Sequence, residues 1–163
     1  MARQLMTIEQ NLSILRSTAG RIGDLTSGLT DAQLHASPEP GEWSVTEIVA
    51  HLRSCADVWG DAIETIAVTE HPTIRAVSPV TWIKSTDYRE LRFASSWQAF
   101  TKQREGLLVL LGRLPQQGWS RSATVLGGGR PLELTIHSYV NRMARHERTH
   151  WRQVAKTVRA LLD

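Results

Sequence analysis

Four long stretches of this chain place apolar residues three and four positions apart, the period of a helix with one buried face, and this narrows the fold to an all-helical class. In the first stretch Leu5, Ile8, Leu12, Leu15, Ala19 and Ile22 follow that step and continue through Leu25 and Leu29. Thr30-Asp31-Ala32-Gln33 then resembles a capping box opening a short turn of helix, before Pro38 and Pro40 break the chain. The second stretch starts with Ser44-Val45-Thr46-Glu47, with Ser44 as N-cap and Glu47 three positions on, and Trp43 and Ile48 placed to form a hydrophobic staple. Its stripe of Val45, Ile48, Leu52, Cys55, Trp59, Ile63 and Ile66 predicts a helix over 45–69, ended by His71-Pro72.

A loop is expected over 70–85, and a third helix over 86–114 carrying Leu91, Ala94, Trp97, Phe100, Leu107, Leu111 and Leu114, closed by Pro115. Residues 116–131 contain Gly127-Gly128-Gly129 and read as a loose hairpin or a plain loop; without a following Gly-Lys-Ser/Thr the glycines are not a phosphate loop. A fourth helix over 132–161 buries Ile136, Tyr139, Val140, Met143, Val154, Val158 and Leu161. Four such helices in 163 residues imply one domain, 1–163, folded as a four-helix bundle.

Composition limits the function classes. Hydrophobic residues at 41% and charged residues at 21% are ordinary for a packed globular chain. A net charge of +3 without any dense Lys/Arg run gives no case for a nucleic-acid partner, and no apolar run reaches the ~20 residues of a membrane span. The start, Met1-Ala2-Arg3-Gln4-Leu5, lacks the apolar core of a secretory signal, and the lone Cys55 fits a reducing compartment, so a cytoplasmic location is expected. Cys55 itself, on a helical stripe, reads first as a buried thiol and second as a metal or redox group.

The chemistry concentrates in His146-Glu147-Arg148-Thr149-His150. Two imidazoles four apart lie on one helix face, the spacing by which two nitrogens share one metal ion. A zinc-protease reading fails for lack of a third ligand. Only thirteen residues follow His150, none of them His or Glu, and the positions of the extended motif hold Gln153 and Lys156. A third ligand must come from earlier in the chain, from His35, His51, His71 or His137. His137 is turned by roughly 180° from His146 on the same helix, His71 precedes a proline at a helix end, and His35 sits in a polar linker. His51 alone lies well inside a helix beside its buried stripe. Three neutral imidazoles suit Zn²⁺, Ni²⁺ or another borderline divalent ion and leave a position open to water or substrate.

Trp43-Ser44-Val45-Thr46-Glu47-Ile48-Val49-Ala50-His51-Leu52 and His146-Glu147-Arg148-Thr149-His150-Trp151-Arg152-Gln153, in this order and at this chain length, resemble the DinB-like superfamily. The resemblance implies a four-helix bundle with a metal site between the second and fourth helices, held by His51, His146 and His150. The glycine that often precedes the late glutamine in that family is Arg152 here. Among its members are bacillithiol S-transferases and mycothiol-dependent maleylpyruvate isomerases, so the resemblance implies a divalent ion, a small electrophilic substrate, a low-molecular-weight thiol as cosubstrate and a homodimer. A metal that lowers the pKa of a bound thiol or water gives a thiol transferase or isomerase in one case and a hydrolase in the other. A non-catalytic metal-binding stress-response protein is the reading from outside enzymology.

Glu147 is turned by roughly 100° from His146 and is the candidate catalytic residue, to orient water, with pairing to an arginine or simple solvation as the other readings. Arg142, Arg145, Arg148 and Arg152 gather on the last helix as a solvated edge or, more sharply, an anion clamp. Trp59 and Trp97 fall on apolar stripes; Trp82 and Trp151 are candidates for a pocket wall or a dimer surface.

Overall fold

The computed structural model describes residues 4–163, so Met1, Ala2 and Arg3 of the amino-terminal segment lie outside it. Helix α1 spans Ile8–Thr26, and Thr7 caps it reciprocally: its hydroxyl accepts from the Gln10 amide while the Gln10 side chain accepts from the Thr7 amide. The same device opens α2, Asp31–His35, through Thr30 and Gln33, and α3, Val45–Val68, through Ser44 and Glu47. Each box meets two of the backbone N–H groups that a helix start leaves free. Ahead of Pro72, His71 turns to a φ of 41°.

The loop expected over 70–85 contains structure: strand β1, Thr73–Arg75, helix α4, Pro79–Trp82, and a 3₁₀ turn at Ile83–Ser85. Helix α5 runs Phe93–Arg113, so the third helix starts seven residues later than 86. Polar bonds, two within the segment and one to α3, account for the delay. The Thr86 hydroxyl donates to the Ile83 carbonyl and accepts from the Tyr88 amide, and the Tyr88 hydroxyl donates to Asp57 on α3. These bonds hold 86–88 against α3 in a non-helical course.

Of the two readings for 116–131, the hairpin is the one found. After a 3₁₀ turn at Gln116–Ser120, β2, Ser122–Leu126, pairs antiparallel with β3, Leu132–Thr135, in the register Val125↔Leu132. Gly127 and Gly129 have φ of 107° and 103°, values that favour glycine in the tight connection. Strand β1 joins in parallel, Ile74 opposite Val125. Residues 132–135 therefore belong to a strand, and α6 spans Ile136–Leu162 with Thr135 as its N-cap.

The class is all-α, a four-helix bundle with this small sheet on its flank. Helices α1 and α6, α6 and α3, α3 and α5, and α5 and α1 are the packed neighbours around it. Consecutive helices α1 and α3 thus stand diagonally, as do α5 and α6, and the connections 27–44 and 114–135 make the crossings. This order brings α3 against α6. The buried apolar side chains form two clusters. One contains Leu15, Ile63, Ile66, Leu111, Val140 and Met143 and reaches Ala123 and Val125 of the sheet. The other contains Ile22, Ile48, Leu52, Phe100 and Val154. At their junction the buried side chains turn polar: Thr18, His51, Ser96, Arg104 and Glu147.

Candidate metal centre

Three imidazoles meet where α3 faces α6. His51 Nε2 lies 3.1 Å from His146 Nε2, and His146 Nε2 lies 3.1 Å from His150 Nε2. Two nitrogens bound to one tetrahedral zinc at about 2.0–2.1 Å stand about 3.3–3.4 Å apart, so the spacing is that of ligands sharing an ion. Cys55 joins them, one turn after His51: its Sγ is 3.6 Å from His51 Nε2 and 3.9 Å from His146 Nε2. Among the described residues, the donor atoms of His51, Cys55 and His146 all fall within 4.8 Å of one another, and these three can hold a metal ion. Two donor sets therefore share His51 and His146, completed either by His150 or by Cys55.

The surroundings fix the protonation states. Burial pulls His51 down to about 4, helped by the charge of His150, and pulls His146 to about 3, with His150 and His51 adding to it. Burial also lowers His150, against the opposing effect of Gln153. His150 Nδ1–H donates to Gln153 Oε1 at 2.8 Å, which leaves its Nε2 lone pair directed at the cluster. Burial pushes the Cys55 thiol up to about 12, with Ser54 opposing and Glu147 and Asp57 adding to the rise. His146 Nδ1 is buried without a hydrogen-bond partner. The imidazoles are thus neutral, and any tautomer that turns the Nε2 lone pairs toward one another calls for a proton or a cation among them. A divalent ion fits this donor set.

Two indoles flank the cluster. The Trp59 ring stands edge-on to His146 at 5.0 Å and 86°, and Trp43 lies 5.2 Å from His51 and stacks toward His150 at 6.3 Å and 11°. Trp43 is 36% exposed and faces the histidines, a position a hydrophobic staple alone does not explain. Beyond Trp59 opens a cavity of about 830 Å³ whose lining includes Ala56, Trp59, Trp82, Arg104, Tyr139 and Arg142. It does not include the histidines, so Trp59 forms the wall between them and the cavity.

The remaining candidates go elsewhere. Glu147 is buried in the core, where Arg104 from the diagonally placed α5 forms an ion pair with it. Burial pushes its carboxyl up, while Arg104 and Thr18 pull it down. Of its three readings, pairing with an arginine is the one found; at 2% exposure it has no solvent face from which to orient water. Arg104 was the unseen partner, although Phe100, Arg104, Leu107 and Leu111 mark one helical stripe with a charge in it. Of the arginines expected to gather on α6, three go to different places: Arg142 lines the cavity, Arg148 a groove beside Met6 and Ile14, and Arg152 lies over Trp151. His137 bonds to the Met6 carbonyl, His35 to that of Asp31, and His71 to Ser122 and Thr124. Trp82 does form part of the cavity wall, while Trp151 packs on the second apolar cluster under Arg21.

The model of the DinB superfamily matches residues 14–154, which include every donor just described. The chain belongs to the DinB superfamily. Solved structures share the fold of this DinB-superfamily chain. YfiT from Bacillus subtilis, described as a probable metal-dependent hydrolase with an unusual four-helix bundle topology, aligns with a TM-score of 0.80 at 18% identity, over 98% of this chain and 91% of its own. A mycothiol-dependent maleylpyruvate isomerase aligns with a TM-score of 0.68 at 14% identity, over 91% of this chain and 61% of its own. A variant of that isomerase with one histidine replaced by alanine aligns similarly, at 0.69 and 14%. At such identities the likeness is one of fold. No curated protein matches the sequence. Among the described residues, no helix is long and apolar enough to cross a membrane.

Proposed function

We propose that His51, His146 and His150 hold one divalent ion, zinc or nickel, and that the protein uses it to join a low-molecular-weight thiol to a small electrophile, or to isomerise that electrophile. The observation that carries this reading is that the Nε2 atom of His146 lies 3.1 Å from that of His51 and 3.1 Å from that of His150. An ion bound there supplies Lewis acidity, which brings the pKa of a coordinated thiol or water toward neutrality. The chain's own part is to prepare the donors. Burial keeps His51 and His146 unprotonated at neutral pH, so no proton need be displaced from them. Gln153 fixes the His150 tautomer, and Trp43 and Trp59 screen two sides of the cluster. Three donors leave an open position, the mark of a chemical rather than a structural site.

The solved isomerase that depends on mycothiol supports the thiol reading. YfiT, described as a probable hydrolase, supports a second, in which water takes the place of the thiol. The partners under either reading are small molecules, with a homodimer as the assembled form and the cytoplasm as the place of action.

Metal analysis of protein purified without added metal tests the site: about one divalent ion per chain is expected in the wild type and almost none in His51→Ala. Equal metal in both overturns the three-histidine site. The two reactions separate on the Co²⁺-substituted protein. A thiol-to-metal charge-transfer band that appears only when bacillithiol or mycothiol is added supports the transferase or isomerase; turnover of an activated ester without thiol supports the hydrolase.

A further inference from the structure

The cavity behind Trp59 has a charged rim that the metal reading does not use. Its volume of about 830 Å³ is in the range of small-molecule sites, and its inner wall is apolar and aromatic, with Trp59, Leu107, Val125, Leu134 and Tyr139. Two of the charges in the lining are already spent. Asp57 accepts hydrogen bonds from Trp82 Nε1, the Tyr88 hydroxyl and the Gln103 amide, and Arg104 is paired with Glu147.

Five charged side chains remain, and they are sorted by element. Asp61 and Glu64 come from α3; Arg75 comes from β1, Arg130 from the turn between β2 and β3, and Arg142 from α6. All five residues are exposed, and among the described residues none of them forms an ion pair with any other group. Opposite charges around one mouth within reach of each other would close on themselves; here the fold keeps the carboxylates on one wall and the guanidiniums on the others.

We propose that this cavity binds a zwitterionic small molecule of dipeptide size with an apolar body, its carboxylate taken by Arg75, Arg130 and Arg142 and its ammonium by Asp61 and Glu64. Guanidinium suits a carboxylate because its planar donors match the two oxygens, and a single ammonium fits between two carboxylates. An anion alone would meet the arginines but leave Asp61 and Glu64 facing its apolar body, and a cation alone the reverse. The apolar wall accounts for the rest of the molecule. This binding requires no metal and goes beyond the proposed reaction.

Isothermal titration with three probes of equal body and different charge tests it: Phe-Phe, its N-acetyl derivative, which keeps only the carboxylate, and its C-terminal amide, which keeps only the ammonium. The expected result is that Phe-Phe binds at least about tenfold more tightly than either single-charge form, the scale of one charge-assisted contact. Arg75→Gln, Arg130→Gln and Arg142→Gln combined should bring Phe-Phe to the level of the amide, and Asp61→Asn combined with Glu64→Gln to the level of the acetylated form. These substitutions are at exposed positions, and unchanged circular dichroism and metal content show that fold and centre are intact. Equal affinity for all three probes overturns the proposal, as does tighter binding of the acetylated form, which marks an anion site only. Absence of saturable Phe-Phe binding at millimolar concentration overturns it too. None of these outcomes bears on whether His51, His146 and His150 hold metal.

Discussion

Adjacent residues of α6 enter two different kinds of buried polar group. Glu147 meets Arg104 across the middle of the bundle, and the pair is closed, because each charge answers the other. His146 meets His51 and His150, and that group is open, because three neutral imidazoles face one another with no carboxylate among them. The first group balances its charge within the protein, although Arg104 Nε and Glu147 Oε2 keep no hydrogen-bond partner among the described residues; the second offers donors suited to a cation. One helical turn thus holds a structural lock and one side of an imidazole cluster, and the H-E-x-x-H pattern spells out both without distinguishing them.

The largest expected effect breaks the closed group. Glu147→Ala leaves the Arg104 guanidinium buried without a counter-charge, which costs about 3–5 kcal/mol of unfolding free energy. Denaturant midpoints read this directly. Combining Arg104→Met with Glu147→Leu should restore most of the loss, since two apolar groups of similar volume need no pairing. If Glu147→Ala is as stable as the wild type yet abolishes turnover, the pair is no lock and the carboxylate serves the reaction.

The open group should respond to metal instead. Adding Zn²⁺ at about a hundred times its dissociation constant stabilises the folded chain by about 2.7 kcal/mol, and His146→Ala should abolish that gain. Without metal, the same substitution should change stability by only about 1 kcal/mol. A thermal shift by Zn²⁺ that survives His146→Ala would place the ion elsewhere.

Acid also separates the two groups. His51 and His146 titrate at about 4 and about 3 in the fold, against 6.5 for free imidazole. Below pH 6.5 the unfolded chain therefore binds protons that the folded chain does not, and stability must fall as the pH drops from 6.5 toward 4. The contribution is fully present above 6.5. Melting of the metal-free protein across this window checks the sign, and His51→Ala should flatten the slope.

How legible these features are follows from how local their causes are. Ser44 and Glu47 are three residues apart and mark the start of α3 because the capping bonds are local. Arg92, at the start of α5, makes no side-chain cap bond, and the Tyr88 to Asp57 bond that delays the helix spans 31 positions, so no nearby residue announces it. Strand β1 has three residues and exists by pairing with β2, some fifty residues on. The facing of His51 and His146 likewise depends on the diagonal course of the chain, which no periodicity encodes; the DinB-like resemblance supplied that arrangement. Cys55 had a local sign, four residues after His51 as His150 is four after His146. Arg104 had one as well, a charge in an apolar stripe.

A smaller effect is expected from the group that orients the open site. Gln153 accepts the His150 Nδ1–H and so selects the tautomer that offers Nε2 to the ion. Gln153→Ala should weaken metal binding by about 10–100-fold without emptying the site at saturating metal, measured by competition with a chelator. An unchanged affinity would mean that the ring is held by packing alone.

The smallest effect should come from Cys55, and it decides between the two donor sets. Its Sγ is near enough to His51 and His146 to serve as a ligand, but burial holds the thiol up to about 12, and a ligand must lose its proton. His150 pays no such penalty, being neutral already and aimed by Gln153. Cys55→Ser should therefore keep its metal within about twofold, and the Co²⁺ spectrum without added thiol should lack a sulfur-to-metal band in both proteins, whereas His150→Ala should lose metal. The reverse pattern, an empty Cys55→Ser and a loaded His150→Ala, would make the third donor a thiolate. A thiolate ligand would leave the imidazole of His150 beside the ion, free to move protons in the reaction. The comparison with Glu147 would then sharpen in another way, because the open group would carry a negative charge of its own.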